Sequence, residues 1–441
     1  MKKETIIKLT AEFSRILVSA VFIFSGLVKA IDPVGNAIKI REYLSTFGLE
    51  HFVWTDHMLS FGQAALEFTL GFCLLMGVYR KLISFCLLLV MCFMTPLTLY
   101  LALFNPVSDC GCFGDALIIT NWQTFYKNTI LLACTIFLYI HCRRLTSFYT
   151  YKAYWFIVPF SFFFCIAFCI TNYDHLPILD FRPYKVGNNI FKLMEIPENA
   201  PQDEYRFIYE KDGVKKVFAL ENAPVDDSTW RYVDSKQIEK GFIPVISSFE
   251  LYNEEGENIG MQILNRPEPL FWLVSPALEL ASNRHIEEIN HVCDFAREKR
   301  CPFYCLTASS PESIEAWKKN TGAAYPFLTA DDVVLKTMIR SNPGLILIKE
   351  GTILAKWHHN DIPDENTLAE TVAAFVGETP VPEKDAGEIT EKAPVKKNRQ
   401  EGERWLRIIS GFVLPLLLIW IYDFCRNRRF RKKKTGLQTA K

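Results

Sequence analysis

Five long apolar runs occupy the first 176 residues, at 13–31, 60–78, 82–104, 125–141 and 154–171, and a sixth lies at 405–424. Each has the length that carries a helix across a bilayer, roughly 17–25 residues. Five such runs joined by short polar links predict membrane helices rather than the buried helices of a soluble core. The first follows Met1-Lys2-Lys3, but it is longer than a signal-peptide core and lacks a small-residue cleavage site, so it reads as an anchor.

Between the fifth and sixth runs the pattern changes. Alternation at 205–209 and 215–220 around Glu210-Lys211-Asp212-Gly213 predicts a hairpin. A second turn, Asn253-Glu254-Glu255-Gly256, follows a short run at 248–252. From about 268 the pattern becomes α/β. A strand is expected at 270–275 and a helix from the cap Asn283 to about Lys299, with Ile286, Ile289, Cys293 and Ala296 on one face. A second strand falls at 302–308. Ser310-Pro311 opens a helix to Asn320, with Gly322 just beyond it. A hairpin at 344–349 and 352–357 turns on Glu350-Gly351, and a last helix covers 365–375. Residues 377–404, rich in Pro, Glu and Lys, read as a flexible tether.

Half of the 441 residues are hydrophobic, which excludes a disordered chain. Forty-nine basic residues balance forty-nine acidic ones, which argues against a nucleic-acid binder working by bulk charge. The distribution matters more than the total. Residues 1–176 carry a net +3, residues 177–400 a net −10 and residues 401–441 a net +7. The basic groups cluster at Lys2, Lys3 and Lys8, at Arg80 and Lys81, at Arg143, Arg144 and Lys152, and from Arg426 to Lys434. If all six runs cross, every cluster falls on one side, which is the cytoplasm. The expected topology is therefore a multi-pass protein of a bacterial inner membrane, both termini cytoplasmic and 172–404 periplasmic.

Of thirteen cysteines, those at 73, 86, 92, 134, 165 and 169 lie in apolar runs, where Cys behaves as a small hydrophobe. Cys110 and Cys112, in Asp109-Cys110-Gly111-Cys112-Phe113-Gly114-Asp115, fall in an outside loop. Two thiols one residue apart in an oxidising compartment are expected to pair. So short a ring is strained and exchangeable, and it removes little chain entropy. A redox-active pair and an inert local staple both remain open. A zinc site is the poorer explanation, since two thiolates without a nearby His leave the tetrahedron half empty. Glu67 sits inside the second run, where a carboxylate is by default a functional candidate. Lys29, near the outer end of the first run, is placed either to snorkel or to reach toward it. The pair reads either as a structural bridge or as a proton-handling group beside the cysteines.

The run Phe24-Ser25-Gly26-Leu27-Val28-Lys29-Ala30-Ile31-Asp32-Pro33, with Arg15 before it, resembles the first helix of DoxX-like membrane proteins. Leu66-Glu67-Phe68-Thr69-Leu70-Gly71 and the later Gly77 fit the same pattern. The loop at 109–115 is similar to that of the MauE branch, and the resemblance covers about residues 10–145. It implies a four-helix unit linked to methylamine metabolism, to maturation of a periplasmic disulfide-rich enzyme, and to electron or thiol traffic at the membrane. Residues 266–376 resemble a thioredoxin-like domain, with Ser341-Asn342-Pro343-Gly344 where that fold places its cis-proline. Where thioredoxins carry Cys-x-x-Cys, however, this chain reads Pro276-Ala277-Leu278-Glu279. Dithiol exchange is therefore not expected of that domain, and a docking role is.

The expected architecture is a six-helix membrane bundle plus an extracytoplasmic α/β thioredoxin-like domain. Its parts are the unit at 10–145, a fifth helix at 154–171, a β-rich lead-in at 177–265, the domain at 266–376, the tether, the anchor at 405–424 and a basic tail at 425–441. The expected function is thiol–disulfide redox or maturation of a periplasmic protein client, with Cys110, Cys112, Glu67 and Lys29 as the working residues. A non-enzymatic scaffold and a small-molecule carrier are the alternatives. The expected partners are the bilayer and that client. No cofactor is named by the sequence; a quinone is compatible with the setting without being derivable from it.

Overall fold

A computed structural model describes residues 2–107, 109–201, 204–219, 222–225, 227, 229–239, 241–376 and 395–438. The chain divides into two compact units, Met1–Phe181 with Pro380–Lys441, and Arg182–Thr379.

The first unit opens with α1 (Lys2–Ile31), α2 (Pro33–Thr46), α3 (Asp56–Met76), α4 (Arg80–Phe104), α5 (Asn121–His141) and α6 (Tyr154–Asp174). Helix α2 was not anticipated. It begins where Asp32 caps it, its Oδ1 accepting from the Gly35 amide at 2.8 Å, and where Pro33 supplies a first residue needing no donor. Helix α5 starts with a capping box between Thr120 and Gln123.

Two glycines set the spacing of α1 and α3. A Cβ on Gly26 would lie 2.5 Å from the Phe68 amide nitrogen, and one on Gly71 would lie 2.8 Å from that of Ile23. Small residues let backbones approach this closely, as membrane helix pairs require. This contact brings Lys29 and Glu67 face to face.

In the second unit, α7 (Ile190–Met194) leads to β1 (Glu204–Lys211), β2 (Val214–Ala219) and β3 (Arg231–Glu239), an antiparallel sheet of order β2-β1-β3. The hairpin falls where expected, with Asp212 and Gly213 both at positive φ. The third strand was not foreseen. Next come α8 (Gly260–Leu264), β4 (Leu270–Ser275), α9 (Ile286–Glu298), β5 (Phe303–Thr307), α10 (Pro311–Thr321), β6 (Phe327–Thr329), α11 (Asp332–Met338), β7 (Gly344–Lys349), β8 (Thr352–His358) and α12 (Glu365–Val376). These build a sheet of order β6-β5-β4-β7-β8. Strands β4, β5 and β6 run parallel, and β7 and β8 run antiparallel. All six residues of β4 are buried, as its unbroken apolar run requires. The Asn342–Pro343 bond is cis.

The turn at Asn253–Gly256 is closed by an isolated bridge between Tyr252 and Asn258, and Tyr252 also bridges Thr329. Two local expectations are corrected. Helix α9 starts at Ile286 after His285, so Asn283 is not its cap. Of the expected tether, 377–394 lie outside the described residues, but 395–404 are helical and belong to α13 (Val395–Gln438), which continues through the basic tail.

Helix α13 returns to the first unit. Phe412 sits among Phe68, Phe72, Phe160 and Phe164, with ring centroids 4.8–5.8 Å apart. Further along, Asp423 accepts from the Thr150 amide and hydroxyl. Stretches of α1, α4, α5, α6 and α13, with α3 and the 3-10 turn before it, are long and apolar enough to cross a membrane, six in all among the described residues. They suit a multi-pass membrane bundle.

Candidate functional site

The loop between α4 and α5 is drawn onto the bundle by three helices. From α1, the Ser25 hydroxyl donates to the Cys112 carbonyl at 2.6 Å, and the Lys29 ammonium donates to the same oxygen at 2.8 Å. From α2, Lys39 pairs with Asp109 at 2.9 Å and the Tyr43 hydroxyl donates to the Cys110 carbonyl at 3.0 Å. From α5, the Lys127 ammonium lies 4.2 Å from the centre of the Phe113 ring. The turn itself is closed by Asp109, whose Oδ1 accepts from the Gly111 amide. Gly111 has φ +64°, a conformation that side chains with a Cβ rarely adopt.

This folding brings the sulfurs of Cys110 and Cys112 to 2.9 Å. Both cysteines are free in the structure, close enough for their sulfurs to hydrogen-bond. The two sulfurs are not equivalent. The hydrogen bond shared with Cys110, with help from the Lys127 and Lys29 charges, pulls Cys112 down to about 6 against the opposing effects of burial and Glu67. The same bond and burial push Cys110 up. The surroundings thus favour ionisation of Cys112 over Cys110.

Beneath the loop, Lys29 uses all three of its donors, on Ser25 Oγ at 2.7 Å, Glu67 Oε2 at 2.7 Å and the Cys112 carbonyl. Both partners are buried, Lys29 at 3% exposure and Glu67 at 9%. Gln63 donates to the other Glu67 oxygen at 3.1 Å. The four residues singled out in the sequence therefore meet in one place.

Sequence reading missed Ser25, Lys39, Tyr43 and Gln63. Two of these had a legible signal. Ser25 and Gln63 each stand four residues before the charged residue of their helix, on the same face. The others belong to contacts between helices, which no local pattern carries. Cys165 and Cys169 were read as small hydrophobes. They lie a turn apart on α6, hydrogen-bonded to each other and packed with Ala30, Ala64, Ala65 and Phe68.

The second unit offers a contrast at the end of β4. Ser275 donates to Asn342 Oδ1 at 2.6 Å, Asn342 donates to the Ala277 carbonyl, and Ser309 serves both the Leu278 amide and Glu279. Cys293, Cys301 and Cys305 are buried and free, and burial raises all three thiols. His358 and His359 are satisfied by Asn360 and Ser341, and no metal-holding cluster occurs among the described residues.

Residues 7–141 match the family model described as Methylamine utilisation protein MauE, a span running from α1 to the end of α5. Residues 203–240 match one described as a Domain of unknown function (DUF8463), which spans the three-stranded sheet. No curated protein matches the chain.

Proposed function

We propose that the protein is a membrane thiol oxidase that helps an extracytoplasmic protein client mature by forming disulfides in it. The observation that carries this reading is the asymmetric pair Cys110–Cys112, 2.9 Å apart and held over a buried Lys29–Glu67 ion pair. The likeness of 7–141 to a methylamine-utilisation family supports a maturation role in that setting. The basic clusters support an inner-membrane topology with both termini inside and the second unit outside.

In the oxidised form, a client thiolate attacks Cys110 Sγ and breaks the Cys110–Cys112 bond. Cys112 leaves as a thiolate, the form that Lys127 and Lys29 stabilise. A second client thiolate then attacks the client sulfur of the mixed disulfide, forming the client's disulfide and releasing Cys110, which takes up a proton. Two electrons pass from the client to the pair. Stabilising the leaving thiolate stabilises the reduced form, which makes such a pair oxidising. Lys29, held by Glu67, anchors the loop carbonyl, and the pair exchanges the protons.

The second unit, with its strand order and cis-Pro343, supports a thioredoxin-like scaffold that docks the client rather than oxidising it. Its hydrogen-bonded Ser275–Asn342 corner contains no sulfur.

The test is trapping. A Cys112→Ala variant first loaded at Cys110 with a soluble aromatic disulfide should exchange the aromatic thiol for a client cysteine and accumulate a reductant-sensitive adduct through Cys110, identified by mass spectrometry. Glu67→Gln should leave the protein inserted and slow client maturation. Absence of an adduct in both single-cysteine variants would overturn the reading.

A further inference from the structure

The end of the bundle opposite the cysteine loop holds a cavity of about 740 Å³, between the start of α4, the end of α5 and the start of α6. Its volume falls in the range of ordinary ligand pockets, about 300–1,000 Å³. Arg80, Lys81 and Arg143 line it, and no acidic residue does. Among the described residues, neither Lys81 nor Arg143 meets an acid. Arg80 donates to the Leu145 carbonyl, and the Phe148 amide donates to the Met76 carbonyl at 3.1 Å. These bonds fasten the turn after α5 to the start of α4, so the fold itself gathers basic groups from distant parts of the chain.

A helix end adds to the positive charge. No side chain caps α4, whose first-turn amides, at Arg80, Lys81 and Leu82, have no intrahelical acceptors. Such an end attracts an anion. The apolar part of the lining narrows the kind of anion. Leu82 and Phe85 line the cavity yet are 57% and 42% exposed. Leu89 and Phe93 are exposed too, and at spacings of three and four residues they carry the same stripe along α4. Tyr79, Tyr139 and Tyr151 stand around the cavity, a residue type enriched at the headgroup level of membranes. A soluble phosphate has no use for such an apolar wall. The ligand these features describe has an anionic phosphate at one end and a hydrocarbon chain at the other.

We propose that this cavity binds one anionic phospholipid, its phosphate among Arg80, Lys81 and Arg143 and an acyl chain along Leu82 and Phe85. An Arg guanidinium grips two phosphate oxygens at once, and Lys adds a point charge. The lipid clamps the start of α4 to the end of α5, the two helices whose other ends carry the cysteine loop. The site is separate from the thiols and does not depend on their chemistry.

The test is native mass spectrometry of the full-length protein, delipidated in detergent and offered phosphatidylglycerol and phosphatidylcholine with matched chains. Phosphatidylglycerol should bind as a single copy, about tenfold more tightly than phosphatidylcholine. A Lys81→Gln/Arg143→Gln variant should lose most of that preference. Arg144→Gln, which removes an exposed charge from the same turn but outside the cavity, should keep it. Arg80 is left in place because its bond to Leu145 holds the turn. Should the double variant fail to insert, the two single variants, both at exposed positions, should each lose part of the preference. Excess inorganic phosphate should not displace the lipid. Equal binding of the two lipids, an equal loss in Arg144→Gln, or displacement of the lipid by inorganic phosphate would overturn the proposal.

Discussion

Two corners of this molecule invite comparison, the 109–115 loop of the membrane unit and the end of β4 in the second unit. Each is a turn crowded with polar groups. In the first, two helices send Ser25, Lys29, Lys39 and Tyr43 to the backbone and flanking acid of a cysteine pair. In the second, Ser275, Ser309 and Asn342 satisfy one another and the nearby backbone, with no sulfur present. The difference teaches that chemistry follows the site rather than the scaffold. Here the membrane bundle carries the paired thiols.

Breaking the membrane site should cost most at Lys29. A Lys29→Met substitution leaves Glu67 as a buried charge with only Gln63 beside it, and the expected loss is about 3–5 kcal/mol of stability. Thermal unfolding in detergent reads it. The double variant Lys29→Met/Glu67→Leu should recover most of that stability but none of the activity, which separates the pair's structural contribution from its chemical one.

A smaller effect is expected from the helix contact that aligns the pair. Gly26→Ala places a Cβ 2.5 Å from backbone, which α1 and α3 relieve only by moving apart. Overpacking of this kind costs about 1–3 kcal/mol. The same unfolding assay should show it, with slower client oxidation as Lys29 draws away from Glu67.

The thiols sharpen the comparison through pH. Cys112 is held at about 6, so its thiolate fraction, and its alkylation rate after correction for the reagent, should rise about tenfold between about pH 5 and pH 7 and then level off. Cys293 and Cys301, raised by burial, should show no such plateau. Lys127→Met should move the Cys112 midpoint upward.

The least effect is expected in the second unit. Ser275→Ala removes one hydrogen bond to Asn342, about 1 kcal/mol, and should leave Cys110/Cys112 reactivity unchanged in the full chain.

Much of this was legible in the sequence, for identifiable reasons. Apolar runs long enough to cross a bilayer announce themselves, and helix ends such as Phe104, Ile31 and His141 fell where the runs stopped. Charged residues within such runs, Lys29 and Glu67, stand out for the same reason. Helix α2 did not, because it is short, half polar and marked only by Asp32-Pro33. Its omission hid Lys39 and Tyr43, half of the support beneath the cysteine loop. Strand β3 was missed because its residues carry many charges and no clear alternation. The helical start of α13 was missed because Lys- and Glu-rich sequence reads equally as tether or as exposed helix.

The central claim is that Cys110 and Cys112 cycle between dithiol and disulfide. Mass-resolved alkylation of the full-length protein in its native membrane, with and without prior reductant, tests it most directly. The account predicts two alkylation sites that appear only after reduction, mapping to Cys110 and Cys112, and loss of client maturation in a Cys110→Ser/Cys112→Ser variant. A pair fully alkylated without reductant, or a double variant with undiminished maturation, would contradict it.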